Sequence, residues 1–133
     1  MALFQLQIVT PDRKVFDGEA EKIILRTAGG DVCILAHHID YVAPLAIGEC
    51  RVTDSEGNTR TAACNGGMVT MANNCCRVMA VTFEWEDEID LERARKAKED
   101  AEAVLETLQR GDEAFATAEA KLKRAIARIH AAE

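Results

Sequence analysis

The chain has 133 residues, and 23 acidic against 16 basic side chains leave it with a net charge of −7. That length suits one modest core, or a small domain with an appendage. The acidic balance without a concentrated basic face argues against nucleic-acid binding, and no apolar run reaches membrane-spanning length.

Met1-Ala2-Leu3-Phe4 leads straight into a strand pattern rather than a signal-peptide pattern, so the chain is expected to work in the cytosol or docked on a larger body. Phe4–Val9 alternates apolar and polar residues, as a half-buried strand does. After the Pro11-Asp12 turn, Lys14–Gly18 reads as a second short strand and turn, and Glu21–Thr27 as a third, closed by Ala28-Gly29-Gly30-Asp31. Val32–Ala36 is short and apolar, His37-His38-Ile39-Asp40 interrupts it, and Tyr41–Gly48 leads into Glu49–Thr53. Asp54–Asn58 has the composition of a longer hairpin loop, with Thr59–Cys64 as the returning strand. Gly66-Gly67 reads as a turn before Met68–Met71, and Asn73-Asn74 as another before Arg77–Phe83. Many short strands separated by such turns predict an all-β antiparallel sandwich over residues 1–86.

Five cysteines lie in this half: Cys33, Cys50, Cys64, Cys75 and Cys76. Their odd number and strand-like surroundings read as free buried thiols in a reducing compartment. A zinc site from Cys64, Cys75, Cys76 and His37 or His38 is disfavoured, because adjacent Cys75 and Cys76 point to opposite faces of a strand. An Asp40, His38 and Cys33 catalytic set lacks an elbow or helix terminus to activate the thiol. Neither a catalytic residue nor a metal ligand is therefore assigned.

At Glu88-Ile89-Asp90-Leu91-Glu92-Arg93-Ala94 the character changes from strand to helix. Asp90 is placed to cap a helix, and its neighbourhood suits a phosphate-bearing ligand. Apolar residues then recur at helical spacing: Ala94, Ala97, Ala101, Val104, Leu105 and Leu108. Arg110-Gly111-Asp112 ends this helix and starts another, with its stripe at Phe115, Ala118, Leu122, Ala125, Ile126 and Ile129. The short connection predicts an antiparallel α-helical hairpin over residues 87–133. Its Ala-rich stripes are too narrow to sustain it alone, so it must lean on the sandwich or on a partner.

With these elements in place, the whole chain resembles the epsilon subunits of bacterial F-type ATP synthases. The likeness rests on Val15-Phe16-Asp17-Gly18, on Gly30-Asp31-Val32-Cys33-Ile34-Leu35 followed by His38, and on Asn65-Gly66-Gly67. Ile89-Asp90-Leu91-Glu92-Arg93-Ala94 and Leu122-Lys123-Arg124-Ala125-Ile126-Ala127-Arg128 complete it. Ala36-His37-His38-Ile39-Asp40 departs from the pattern, where such subunits commonly have Pro-Gly-His-Ala-Pro.

The resemblance implies a non-catalytic central-stalk rotor subunit, peripheral on the cytoplasmic face of the bacterial cell membrane and without direct membrane insertion. The sandwich would bind the gamma subunit and rest on the c-ring through Thr27, Ala28, Gly29, Gly30, Asp31 and His38. The hairpin would lie folded on the sandwich, or extend into the alpha/beta catalytic head and block ATP hydrolysis. No cofactor is required on this reading. ATP, with or without magnesium, is implied as a regulatory ligand of the folded hairpin, held by Glu84, Ile89, Asp90, Arg93, Ala94, Arg124 and Arg128.

Two readings of these side chains stand side by side. Without the resemblance, Asp90 is a helix cap, Arg93 its solvated neighbour, and Arg124 with Arg128 a solvated stripe. With it, Arg93, Arg124 and Arg128 converge on phosphate oxygens. The alternative function is a stand-alone small-molecule or metal-binding sandwich whose hairpin dimerises.

Overall fold

The computed structural model describes residues 2–133. Seven strands come first: β1 (Phe4–Val9), β2 (Lys14–Thr27), β3 (Gly30–Leu35), β4 (Tyr41–Asp54), β5 (Thr59–Ala72), β6 (Cys75–Ala80) and β7 (Phe83–Trp85). A single 3₁₀ turn (Glu86–Glu88) then leads to α1 (Leu91–Glu106) and α2 (Glu113–Ala132). Strand order is β1-β6-β5-β4-β2-β3, with β7 on β5 and an added β1–β2 pairing that closes the sheet on itself. Every pairing is antiparallel except β1–β6. The result is the expected antiparallel sandwich, flattened from a closed barrel, followed by the helical hairpin.

Closure needs strands that turn corners, and here the structure corrects the sequence reading. Lys14–Gly18 and Glu21–Thr27 are one strand, β2, whose register against β4 shifts twice, between Ala20 and Lys22 and between Ile24 and Thr27. Gly66-Gly67 is not a turn but a kink inside β5. Gly67 has φ +125, and a Cβ there would stand 2.0 Å from the Met79 carbonyl oxygen, so only glycine fits. Arg77–Phe83 instead divides into β6 and β7. Asn73 and Asn74 form the expected tight turn, with φ 52 and 58. Inside, Phe4, Leu6, Ile8, Ile23, Leu25, Ile34, Val52, Val69, Met71 and Val78 are fully or almost fully buried.

The hairpin forms a second and a third layer. α2 lies on β4 and β5, and α1 packs on α2. Ala127 and Ala131 face the sheet beside Ala63, Ile47 and Ile89. α1 stops at Glu106, short of the expected Leu108, where Thr107 bonds back to the Val104 carbonyl at 2.8 Å. Gly111 takes the positive φ (102) expected after a helix. Asp112 occupies the N-cap position, but its carboxylate accepts from Gln109 N at 3.2 Å within the loop instead. No helix is long and apolar enough to cross a membrane among the described residues.

Candidate functional site

Three regions carry candidate function, and the first lies where the hairpin meets the sheet. Asp90 is the N-cap of α1, its Oδ1 accepting from Arg93 N at 3.1 Å and its carbonyl from Ala94 N at 3.0 Å. Ala94 is buried against α2, and Ile89 packs on Ala127 and Ala131. From the other helix, Arg128 Nε donates to Glu84 Oε1 at 2.6 Å, with 32% of each side chain exposed. Arg95 and Glu133 approach to 3.7 Å, which brings the start of α1 beside the end of α2 as an antiparallel hairpin requires. Arg124 and Arg128 share a groove of about 710 Å³ between the helices, together with Lys121, Asp100 and Glu113. Arg93 does not line this groove: its side chain is exposed and, among the described residues, in no ion pair. Of the three arginines expected to converge, the groove therefore holds Arg124 and Arg128.

The second region is the β2–β3 turn. Thr27 is buried, its Oγ1 donating to the Gly30 carbonyl at 2.7 Å and accepting from Gly29 N at 3.2 Å. Ala28, Gly29 and Gly30 are exposed. Asp31 pairs with Arg26 at 2.9 Å, and that guanidinium bond holds its carboxyl below the usual carboxylate range. His38 stands at the far end of β3, donating from Nδ1 to the Ile39 carbonyl at 2.8 Å with its ring edge on Tyr41. The six residues of β3 thus separate His38 from the turn by about 20 Å along the strand.

The third region escaped the sequence reading. Val42, Met68, Met79 and Val81 are large apolar side chains left exposed. Pro44 pairs with Met68, and Met68 with Met79, so they form a row across three strands. A signal was present: Val42-Ala43, Met68-Val69 and Val78-Met79 are adjacent apolar pairs, which break period-2 alternation and make both strand faces apolar.

The cysteines divide by face. All five are free; Cys50, Cys64 and Cys76 are buried, whereas Cys33 and Cys75 are exposed, contrary to the expectation that all would be buried. Burial pushes the Cys64 and Cys76 thiols up to about 12 and Cys50 well above its ordinary value. No group of three or more His, Cys, Asp or Glu side chains is placed to hold a metal among the described residues.

A closed β-sandwich with an Ala-lined helical hairpin laid on one face defines a small protein of two parts. The chain belongs to the ATP synthase delta/epsilon chain family: residues 3–86 match its beta-sandwich domain and residues 87–133 its long alpha-helix domain. The ATP synthase epsilon chain of Caldicellulosiruptor bescii is 39% identical over 133 residues, covering 100% of this chain and 96% of that one. That of Shouchella clausii is 39% identical over 135 residues, covering 100% and 97%. Among solved structures, a chain in the Euglena gracilis mitochondrial ATP synthase (OSCP/F1/c-ring) superposes with TM-score 0.85 at 27% identity, covering 99% of this chain and 82% of that one. A chain of the Tetrahymena thermophila mitochondrial ATP synthase central stalk and c-ring shares the fold alone, with TM-score 0.62 at 13% identity and coverage of 97% and 96%.

Proposed function

We propose that this chain is the epsilon subunit of an F-type proton-translocating ATP synthase, a central-stalk subunit with no chemistry of its own that restrains ATP hydrolysis through its hairpin. The observation that carries the regulatory part is the contact of α2 with the sheet. It is made by Ala63, Ala127 and Ala131 with the partly buried Ile47 and Ile89, a small apolar patch, so a folded and a released hairpin differ by about a few kcal/mol. A partner surface is then enough to shift the balance. The sandwich docks on gamma and the c-ring, and the released hairpin reaches the alpha/beta head. The row Pro44, Met68 and Met79, with Val42 and Val81, supports docking by an apolar face. On this reading the chain sits peripherally on the cytoplasmic face of the bacterial membrane. Removing residues 89–133 should raise ATP hydrolysis by the assembled complex and leave assembly intact; an unchanged rate would make the hairpin a strut. A pull-down that retains no gamma would favour the stand-alone sandwich instead.

ATP is the regulatory ligand on this reading, bound at the folded hairpin with or without magnesium. The shared groove of Arg124 and Arg128 supports it, since each guanidinium offers bidentate bonds to phosphate. Titration calorimetry of the isolated protein tests it. Arg124→Ala and Arg128→Ala should each weaken binding roughly ten-fold or more, while Lys96→Ala changes little. Bound ATP should also raise the melting temperature in proportion to the logarithm of its concentration. No heat and no shift at millimolar ATP would leave Asp90 and Arg93 as a cap and a solvated neighbour.

A further inference from the structure

Arg124 and Arg128 stand four residues apart on α2 and look interchangeable in sequence, yet the structure uses them differently. Arg128 donates to Glu84 at 2.6 Å across 44 residues of chain, with about two-thirds of each side chain withdrawn from solvent. Among the described residues this is the one ion pair that joins either helix to a strand; the remaining pairs lie within the sheet, within the hairpin, or at the 3₁₀ turn. Arg124 is half-buried, lines the interhelical groove, and makes no ion pair or side-chain hydrogen bond among those residues. Around Arg128 the apolar contact is made by alanines with Ile47 and Ile89. A directional charge-assisted bond is therefore a large part of what keeps α2 on the sheet. An exposed pair would add little, but this one is mostly desolvated on both sides.

The geometry points to a latch: Glu84–Arg128 holds the hairpin on the sandwich with no ligand bound, and Arg124, one turn away on the same helix, takes no part in holding it. The latch rests on the reading that the hairpin leaves the sheet. It makes the folded state intrinsic to the chain and sensitive to salt, since mobile ions screen the pair. No anionic ligand is needed to create it.

The hairpin carries no cysteine, which makes a direct test simple. In the full-length chain with Cys75→Ser, spin labels are placed on Cys33 and on Glu106→Cys, and their distance distribution is measured without nucleotide. The buried thiols stay unlabelled because burial keeps them protonated. The parent should give one short distance. Glu84→Gln and Arg128→Gln should each raise a second, longer population about five- to ten-fold, as should molar salt acting on the parent. Glu84→Arg combined with Arg128→Glu should restore the short distance, and Arg124→Gln should leave it untouched. Distances in Arg128→Gln identical to the parent's, or a swap that fails to restore them, overturn the latch. A second population in Arg124→Gln as large as in Arg128→Gln also overturns it, since overall charge and not this pair would then hold the hairpin. If the longer population appears but the assembled complex hydrolyses ATP at the parent rate, the latch stands and the inhibitory reading falls.

Discussion

At the scale of single residues, the backbone sets the sharpest tests. His37 sits at φ 62 in the loop where the resemblance places glycine, and Asn74 Oδ1 accepts from His37 N at 2.8 Å to hold it there. A left-handed residue with a Cβ costs roughly 1 kcal/mol. His37→Gly should therefore stabilise the chain by about 0.5–1 kcal/mol, measured as a rise in the urea midpoint at unchanged slope. Gly67→Ala should do the opposite by at least about 2 kcal/mol, since a methyl would meet the Met79 carbonyl. Thiol chemistry offers a third check. Cys33 and Cys75 should react at once with a thiol reagent in the native protein, and Cys50, Cys64 and Cys76 only on unfolding.

At the scale of elements, the 3₁₀ turn is tied to the sandwich. Glu88 Oε1 accepts from Arg13 at 2.8 Å and from Trp85 N at 3.0 Å, and Arg13 also donates to the Phe83 carbonyl. The Arg13 bond first, then the backbone bond, holds the Glu88 carboxyl below the usual carboxylate range. A carboxyl lowered on folding stabilises the fold above its unfolded value of about 4.3, and that contribution disappears as pH falls through the lowered value. Glu88→Gln should thus flatten the acid limb of the stability profile and leave its shape above neutrality unchanged. The elements themselves were largely legible: alternation gave β1, and capping with Gly111 gave the hairpin. What was lost had one physical cause. Glycine marks both a turn and a bend within a strand, so β2 and β5 were each divided in two. Likewise one helical phase of α2 was read and the other missed, because Ala127 and Ala131 are small enough to pass as surface. The pairing of Glu84 with Arg128 was legible only as membership of one set, since contact across 44 residues leaves no periodic trace.

At the scale of the molecule, the core cluster draws all its buried residues from the sandwich. A fragment ending after Glu88 keeps the Arg13 contact and should fold and bind gamma; one that folds but fails to bind would move gamma recognition to the hairpin. Met68→Glu on the apolar row should weaken that binding at least ten-fold without lowering the melting temperature, because its side chain is already exposed.

The position of α2 between α1 and the sheet has a consequence for timing. The outer helix can peel away while the inner one stays seated, but the inner helix cannot rise without carrying the outer one. Exchange of backbone amides should accordingly begin in α1 and reach α2 later, giving two rates where a rigid hairpin would give one.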